Sequence, residues 1–312
     1  MLAFELSLQL LLFILIGFFI LRRGLVDKSF DKSLASFIMN IALPCLIIKS
    51  FDMPFSAELL ESCGILLVIS FGLLGLCFIL GHLAMKLSGE GYAGRILRFG
   101  MMFPNITFVG MPVMEALYGQ LGLFYFSIFI IPVRIFYYSS AKPLLSSPET
   151  GGEKAKFKDH LKSILSPPFI AVFIGLSLYI SGLSLPDFLD KTISDLGSVC
   201  SPLGMILCGI TLGKYKLSVL LKLRYLDLPL IRNLLIPSIT AAIMYFIPAD
   251  PLVSKVVVVY SALPVASMLT AFTIEYCPES KARLQSAGYM LISVLMGVFT
   301  VPVWAYICEL LF

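Results

Sequence analysis

The chain contains ten apolar runs that are each long enough to cross a lipid bilayer, and this succession limits its fold more than any other feature. A membrane-spanning helix needs about 20 mostly apolar residues. The runs are continuous and do not alternate with polar residues as barrel strands would. They therefore predict an all-α polytopic membrane protein embedded in a lipid bilayer. The runs lie near residues 4–21, 33–51, 60–85, 96–117, 121–141, 167–184, 193–213, 229–247, 252–274 and 285–309.

The composition agrees with this interpretation. Charged residues make up 13% of the chain and hydrophobic residues 59%, whereas a soluble globular chain carries roughly 25% charged residues. So few charges cannot cover a soluble core. The net charge of +4 comes from basic residues in particular loops, which indicates membrane topology and no nucleic-acid partner.

Lysine and arginine residues fall mainly in every second loop. With the N-terminus placed outside, the inside segments hold 19 of the 23 basic residues, counting Arg232 with the loop before the eighth run. The outside segments hold Lys49, Lys191 and Lys255, and Arg134 lies within a run. Basic residues concentrate in cytoplasmic loops. We therefore expect a multi-pass protein of the cell (inner or plasma) membrane with both termini outside and a cytoplasmic central loop.

A long polar loop at 142–166 divides the chain into two halves of five runs each, residues 1–141 and 167–312. Because five is odd, two such halves must insert in opposite orientations. The second half repeats the glycine and proline spacing of the first, which favours an inverted repeat, although both residues are common in membrane helices and coincidence remains an alternative. The matching positions are Gly17, Gly24 and Pro44 in the first half and Gly175, Gly182 and Pro202 in the second.

Two prolines occupy corresponding positions deep in the fourth and ninth runs. Pro104 and Pro264 each remove a backbone donor and clash with the preceding helical turn. They predict either simple kinks or interrupted helices, and their paired placement favours interruption. Inverted repeats with interrupted helices are typical of secondary transporters, whose substrate sites lie near the midplane of the membrane.

The segment 103–112 carries the densest chemical signal, because it combines two prolines, Gly110 and the amide of Asn105 within one apolar run. An amide inside a span is costly unless it has a partner, which makes it a candidate functional group. Asn105 can accept from the free N–H groups of the following half-helix and also donate to an anion. The N-terminus of that half-helix carries partial positive charge. These features predict a carboxylate-binding site.

Four stretches resemble signatures of the auxin efflux carrier family, which includes the plant auxin exporters. The most specific is PNITFVGMPVMEALYG at 104–119, which resembles the span-4 signature. The others are NIALPCLI at 40–47, IRNLLIPS at 231–238 and SALPVASMLTAFTIEY at 261–276, which resemble the signatures of spans 2, 8 and 9. Together the likeness covers essentially all ten runs.

The resemblance implies a fold like that of bile-acid symporters and NhaA-type antiporters. Spans 1, 2, 6 and 7 would form a scaffold, and spans 3–5 and 8–10 a moving part in which spans 4 and 9 cross at their prolines. It further implies that Asn105 helps to hold a substrate carboxylate and that the chain forms a homodimer through the scaffold. The short central loop resembles that of bacterial permeases, whose relatives are associated with malate or malonate. Ser166 stands where plant carriers have an asparagine, a departure that disfavours auxin itself as the substrate.

The candidate substrate-binding residues extend beyond the motif, and several have a structural alternative. Arg134 either faces an anionic substrate or extends to the interface or a structural partner. Asn40 is either a polar contact near Pro44 or a packing residue, and Ser261 either bonds freed carbonyls or caps its own helix. The full set is Asn105, Pro104, Gly110, Pro264, Ser261, Asn40 and Arg134.

The sequence contains no catalytic constellation within its apolar runs, and its seven cysteines are scattered without a metal-ligand spacing. We therefore predict no enzyme activity, no metal and no cofactor. The chain is expected to be a secondary transporter that moves a small organic anion, such as a mono- or dicarboxylate or an auxin-like acid, by alternating access. A membrane-embedded ligand sensor on a transporter scaffold is the alternative.

Overall fold

The computed structural model describes residues 2–27, 29–89, 91–146, 166–183, 185–214, 222–277 and 279–312. This part of the chain is helical throughout, and its only β-type pairing is one isolated bridge. Most of the predicted central loop, residues 147–165, lies outside the described residues.

The helices are numbered here in chain order. The first half contains α1 (Leu2–Arg22), α2 (Phe30–Phe37), the π-helix π1 (Ile38–Ala42), α3 (Leu43–Ser50), α4 (Ala57–Ser88), α5 (Tyr92–Met102), π2 (Ile106–Gly110) and α6 (Met111–Leu145). The second contains α7 (Pro167–Ser181), α8 (Asp187–Ser198), α9 (Cys200–Gly213), a 3₁₀ turn (Leu223–Tyr225), α10 (Asp227–Leu230), π3 (Ile231–Leu235), α11 (Ile236–Phe246), α12 (Pro251–Ala262), α13 (Met268–Tyr276) and α14 (Ser280–Leu311).

Within the described residues, six helical stretches are long and apolar enough to cross a membrane. They confirm an all-helical, multi-pass membrane protein, whereas the count of ten spans stays a prediction. The six are Phe30–Ser50, Ala57–Ser88, Ile106–Tyr137, Asp187–Gly213, Asp227–Phe246 and Ser280–Leu311, and shorter apolar helices cover Leu11–Arg22, Pro167–Ser181 and Pro251–Ala262.

Helix α6 changes direction at Gly119, which has φ 61° and ψ −154° inside an otherwise helical stretch. This region of backbone conformation is open to glycine and strained for other residues. This change of direction lies at residues 118–120, between the predicted fourth and fifth apolar runs. Helix α6 therefore includes the end of the fourth run and the whole of the fifth.

Glycines bring α1 and α9 into backbone contact. Gly17 faces the carbonyl of Ile206, and Gly209 faces the carbonyl of Ile14, so closely that a Cβ at either glycine would collide with that backbone. Small residues allow such close helix packing in a membrane, where no hydrophobic driving force acts between helices. The two helices therefore form one rigid pair.

The remaining helices of this side of the molecule pack on α3. Gly175 of α7 leaves room for the ring of Phe51, and Gly197 of α8 lies against the backbone of Leu46. We call α1, α2, π1, α3, α7, α8 and α9 the scaffold helices, and α4, α5, π2, α6 and α10–α14 with π3 the crossing bundle.

We expect Gly209→Ala to lower the stability of the folded protein, because the new methyl group must displace the backbone of α1. Overpacking of this kind costs about 1–3 kcal/mol. Gly75→Ala on α4 is the matched control, since nothing lies within 4 Å of its Cβ position, and alanine there is neutral or stabilising. Thermal unfolding in detergent measures both, and equal midpoints for the two variants would contradict the close packing.

Candidate functional site

Two interrupted helices cross near the middle of the crossing bundle. Helix α5 ends at Met102 before π2 begins at Ile106, and α12 ends at Ala262 before α13 begins at Met268. Between these helix ends, Pro104 and Val265 form an antiparallel bridge. Both interruptions therefore lie at the prolines that the sequence analysis names.

The bridge pairs backbone groups that the interruptions leave without helical partners. The N–H of Asn105 donates to the carbonyl of Pro264 at 2.7 Å, and the N–H of Ala266 donates to the carbonyl of Phe103 at 3.2 Å. Non-helical backbone at membrane depth is tolerated only where protein or a water-filled cavity satisfies it. Each interrupted segment thus supplies partners for the other.

In the side chain of Asn105, Oδ1 is hydrogen-bonded and Nδ2 is not. Its Oδ1 accepts a hydrogen bond from the N–H of Phe108 at 3.1 Å, which caps π2. The residue is 3% exposed, and its Nδ2 has no hydrogen-bond partner in the described part of the protein. Buried polar groups are normally paired, so this amide N–H₂ is a donor available to a ligand.

Two adjoining cavities of about 380 Å³ and 470 Å³ reach Asn105. Both lie between the scaffold helix α2 and the crossing bundle, near the N-terminal ends of π2 and α13, and the larger one is also lined by α9. The residues that line both are Lys32, Ala35, Asn105, Phe108, Ser267 and Met268. Pro104 also lines the smaller cavity, and Asp31, Lys214 and Thr270 line the larger one.

The charged residues of these cavities carry a net positive charge. Lys214 forms an ion pair with Asp31, with 2.5 Å between Nζ and Oδ2. Lys32 lines both cavities and adds a positive charge beyond that pair. A cleft lined by an excess of one charge sign raises the local concentration of ions of the opposite sign. The arrangement favours anions.

A fully buried arginine donates hydrogen bonds to both interrupted segments of the crossing. Arg232 of π3 is 0% exposed. Its Nη1 donates to the carbonyl of Met101 at 3.0 Å, and its Nε to the carbonyl of Leu263 at 3.3 Å. These carbonyls lie at the C-terminal ends of α5 and α12, where helices carry partial negative charge. One guanidinium therefore compensates both helix ends.

The placement of Arg232 corrects the sequence analysis, which counts this residue with an inside loop. The structure buries it in π3, within the apolar stretch Asp227–Phe246. The prediction was wrong because an arginine near the start of an apolar run is compatible with a position in the preceding loop or in the span itself. Its position inside the predicted run 229–247 was the available signal.

The neighbouring Asn233 supports the other side of the crossing, and the sequence analysis assigned it no role. Ser293 of α14 accepts from the N–H of Val265 at 3.0 Å and donates to Oδ1 of Asn233 at 2.8 Å. All three residues are fully buried. Arg232 and Asn233 are adjacent in π3 and both support the crossing. Arg232 donates to its carbonyls, and Asn233 accepts from Ser293, which accepts from the N–H of Val265.

Gly110 and Ser261 lie near the crossing with contacts inside the protein. A Cβ at Gly110 would meet the side chains of Phe126 and Leu263 at 2.7 Å and 2.8 Å, so the glycine allows close packing there. Ser261 is fully buried and its Oγ donates to the carbonyl of Val258 at 2.6 Å. This bond to its own helix agrees with the alternative in which Ser261 caps that helix.

Asn40 and Arg134 are not among the residues that line the two cavities. Asn40 is exposed on π1, and its Nδ2 donates to the carbonyl of Ser36 at 2.8 Å, within the same helical stretch. Arg134 is 5% exposed inside α6. The structure therefore brings Asn105 and Pro104 to the cavities and places these two elsewhere.

Comparison with known proteins gives a match over nearly the whole chain. The model of a family described as membrane transport protein matches residues 2–305. The chain belongs to this family. The resemblance to auxin efflux carriers is thereby confirmed, and the chain is a membrane transport protein.

Two archaeal relatives cover the transporter from end to end. An uncharacterized transporter of Methanocaldococcus jannaschii is 25% identical over 319 residues, covering 98% of this chain and 99% of its own length. An uncharacterized transporter of Methanothermobacter thermautotrophicus is 25% identical over 325 residues, covering 97% of each chain.

We expect Arg232→Ala to destabilise the transporter, because it leaves the buried carbonyls of Met101 and Leu263 without their donor. Each such loss costs about 1–3 kcal/mol. Arg224→Ala is the control, since Arg224 is exposed just before α10. Thermal unfolding in detergent should show a large drop for the first variant only. A wild-type midpoint for Arg232→Ala would contradict the supporting role.

Proposed function

We propose that the protein is a secondary transporter that moves a small organic anion by alternating access. The observation that carries this proposal is the unpaired, buried amide N–H₂ of Asn105, which lines the cavities between the scaffold helices and the crossing bundle. A transporter requires a site at such a boundary, because movement of one body against the other then changes the side from which the site is reached.

The chemistry of the site suits a carboxylate. The amide of Asn105 offers a hydrogen-bond donor, and the N-terminus of α13 adds partial positive charge at the cavity wall. Lys32 contributes a full positive charge. A cavity of about 470 Å³ accommodates a mono- or dicarboxylate or an auxin-like acid.

The two ends of the molecule differ in a way that supports alternating access. The cavities extend from Asn105 to Asp31, Lys32 and Lys214. Near the opposite ends of the helices, Nε2 of Gln120 donates to the carbonyls of Lys49 and Asp52 at 2.9 Å and 2.6 Å and so joins the crossing bundle to the scaffold.

Aromatic side chains close the same end. The rings of Phe51, which directly follows α3, and Phe124 of α6 lie 4.9 Å apart, and the ring of Tyr179 of α7 lies 5.3 Å from that of Phe124. We interpret this arrangement as a state open toward the predicted cytoplasmic side. The opposite state would separate Gln120 and Phe124 from the scaffold.

We further propose the ten-span inverted repeat, with residues 1–141 and 167–312 as its halves and 142–166 as the connecting loop. Gly24 and Gly182 occupy matching positions in the two halves and have φ values of 70° and 64°. The packing is reciprocal as well, since α1 lies on α9 through Gly17 and α7 lies on α3 through Gly175. These paired features support the repeat over coincidence.

The proposal includes a cell-membrane location with both termini outside and a homodimer formed through the scaffold helices. A ligand sensor on the same scaffold is less favoured, because the family and both relatives are named for transport. Membership of a transport family also favours a carrier over an enzyme.

Asn105→Ser tests the binding site. Serine caps a helix about as well as asparagine, so π2 should keep its cap while the shorter side chain no longer presents the amide donor. Loss of a hydrogen bond to a charged group costs about 1.5–3 kcal/mol, so we expect at least a ten-fold loss of apparent affinity. Uptake of labelled mono- and dicarboxylates into proteoliposomes, with and without sodium and proton gradients, gives the measurement.

Ser238→Ala is the control for this experiment, because Ser238 is exposed on α11 and bonds only the carbonyl of Leu234 in its own helical stretch. Uptake of no organic anion by the wild-type protein would overturn the proposed function. Wild-type uptake with unchanged affinity in Asn105→Ser would overturn the site alone.

Reporter fusions test the proposed topology. In a bacterial host, a reporter that is active only outside the inner membrane should be active when fused after Phe312 and inactive when inserted in the loop 142–166. The reverse pattern would contradict the charge-based orientation.

A further inference from the structure

Threonine hydroxyls inside helices usually bond the carbonyl of the residue four positions earlier, and this chain shows the pattern repeatedly. The bonds are those of Thr192 to Phe188 at 2.7 Å, Thr211 to Leu207 at 2.9 Å, Thr240 to Ile236 at 2.8 Å and Thr273 to Leu269 at 2.7 Å. A threonine hydroxyl bonded in this way is satisfied by its own helix.

Thr270 departs from this pattern. The residue four positions before it is Ala266, which lies in the interruption before α13. The carbonyl of Ala266 accepts from the N–H of Leu269 at 3.0 Å. The hydroxyl of Thr270 has no hydrogen-bond partner within the described residues, although the side chain is only 7% exposed.

Thr270 lines the larger cavity, which Asn105 also lines. The two residues come from different interrupted helices, since Asn105 precedes π2 and Thr270 lies in the first turn of α13. Each has a buried polar atom without a protein partner. An unsatisfied buried polar group is costly. Asp31 Oδ1 is a third such atom among the residues of this cavity, but it is an acceptor and its carboxylate is paired with Lys214. The other two groups can both donate, which indicates one ligand that satisfies them together.

We propose that Thr270 is a second substrate-contacting residue, whose hydroxyl donates a hydrogen bond to the anion that Asn105 holds. This inference rests on the proposed transport function and defines the ligand further. The ligand must present two acceptor oxygens, one toward each interrupted helix. A carboxylate supplies both, and binding one would join the half-helices that follow the crossing.

Thr270→Val tests the proposal, because valine has nearly the shape of threonine and lacks the hydroxyl. The measured quantity is the KM for uptake of a labelled carboxylate that the wild-type protein transports into proteoliposomes. We expect KM to rise about ten-fold or more, the usual effect of removing a hydrogen bond to a charged group. Thr270→Ser keeps the hydroxyl and should restore a KM close to that of the wild type.

Thr273→Val is the matched control. Thr273 lies on the same helix, one turn later, and its hydroxyl bonds the carbonyl of Leu269 instead of facing the cavity. Its substitution should leave KM unchanged. Thermal unfolding of all three variants in detergent separates an effect on the site from an effect on folding.

The outcomes distinguish this inference from the function on which it rests. Wild-type uptake with equal KM values for Thr270→Val and Thr273→Val would overturn the role of Thr270 and leave the transport function intact. A raised KM in Thr270→Ser equal to that in Thr270→Val would also overturn it, because the hydroxyl would then not be the cause. Absence of any organic-anion uptake by the wild-type protein would overturn both proposals.

Discussion

The hydrogen bonds between the two interrupted helices are the constraint on which the rest of this structure depends. A proline at the depth of Pro104 or Pro264 would leave backbone groups unpaired where no lipid can bond them. The pairing of Asn105 with Pro264 and of Ala266 with Phe103 meets this need. Because each segment supplies the partners of the other, neither interruption would be tolerated alone.

The crossing also explains why so many polar residues are buried in an otherwise apolar bundle. Arg232 bonds carbonyls at the ends of α5 and α12, and Ser293 bonds the N–H of Val265. These contacts satisfy backbone groups, and neither Arg232 nor Ser293 is among the residues that line the two cavities. Asn105 Nδ2 and the Thr270 hydroxyl remain unpaired, so the interruption that demands structural partners also leaves the two groups that we propose bind the ligand.

The sequence predicted the parts of this arrangement that depend on single residues. The prolines indicated where the helices stop, and the amide of Asn105 within an apolar run indicated the candidate site, which stays a prediction. Contacts between segments that are far apart in the chain could not be predicted from the sequence. The residues around Arg232 do not indicate that one guanidinium bonds both Met101 and Leu263, and the unpaired hydroxyl of Thr270 is visible only in the folded structure.

The contacts also differ in strength in a way that determines which parts can move. The buried bonds of Arg232 cannot be broken without leaving unsatisfied groups in the membrane, and separating α1 from α9 would lose their close van der Waals packing. The bonds of Gln120 to the scaffold lie at an exposed end, where water can replace them, and each contributes only about 0.5–1.5 kcal/mol. The alternating-access movement that we propose would therefore cost least as a rigid-body rotation that releases Gln120 and keeps the crossing intact. A ligand bridging Asn105 and Thr270 would travel with the crossing, because both of its contacts lie on the same moving body.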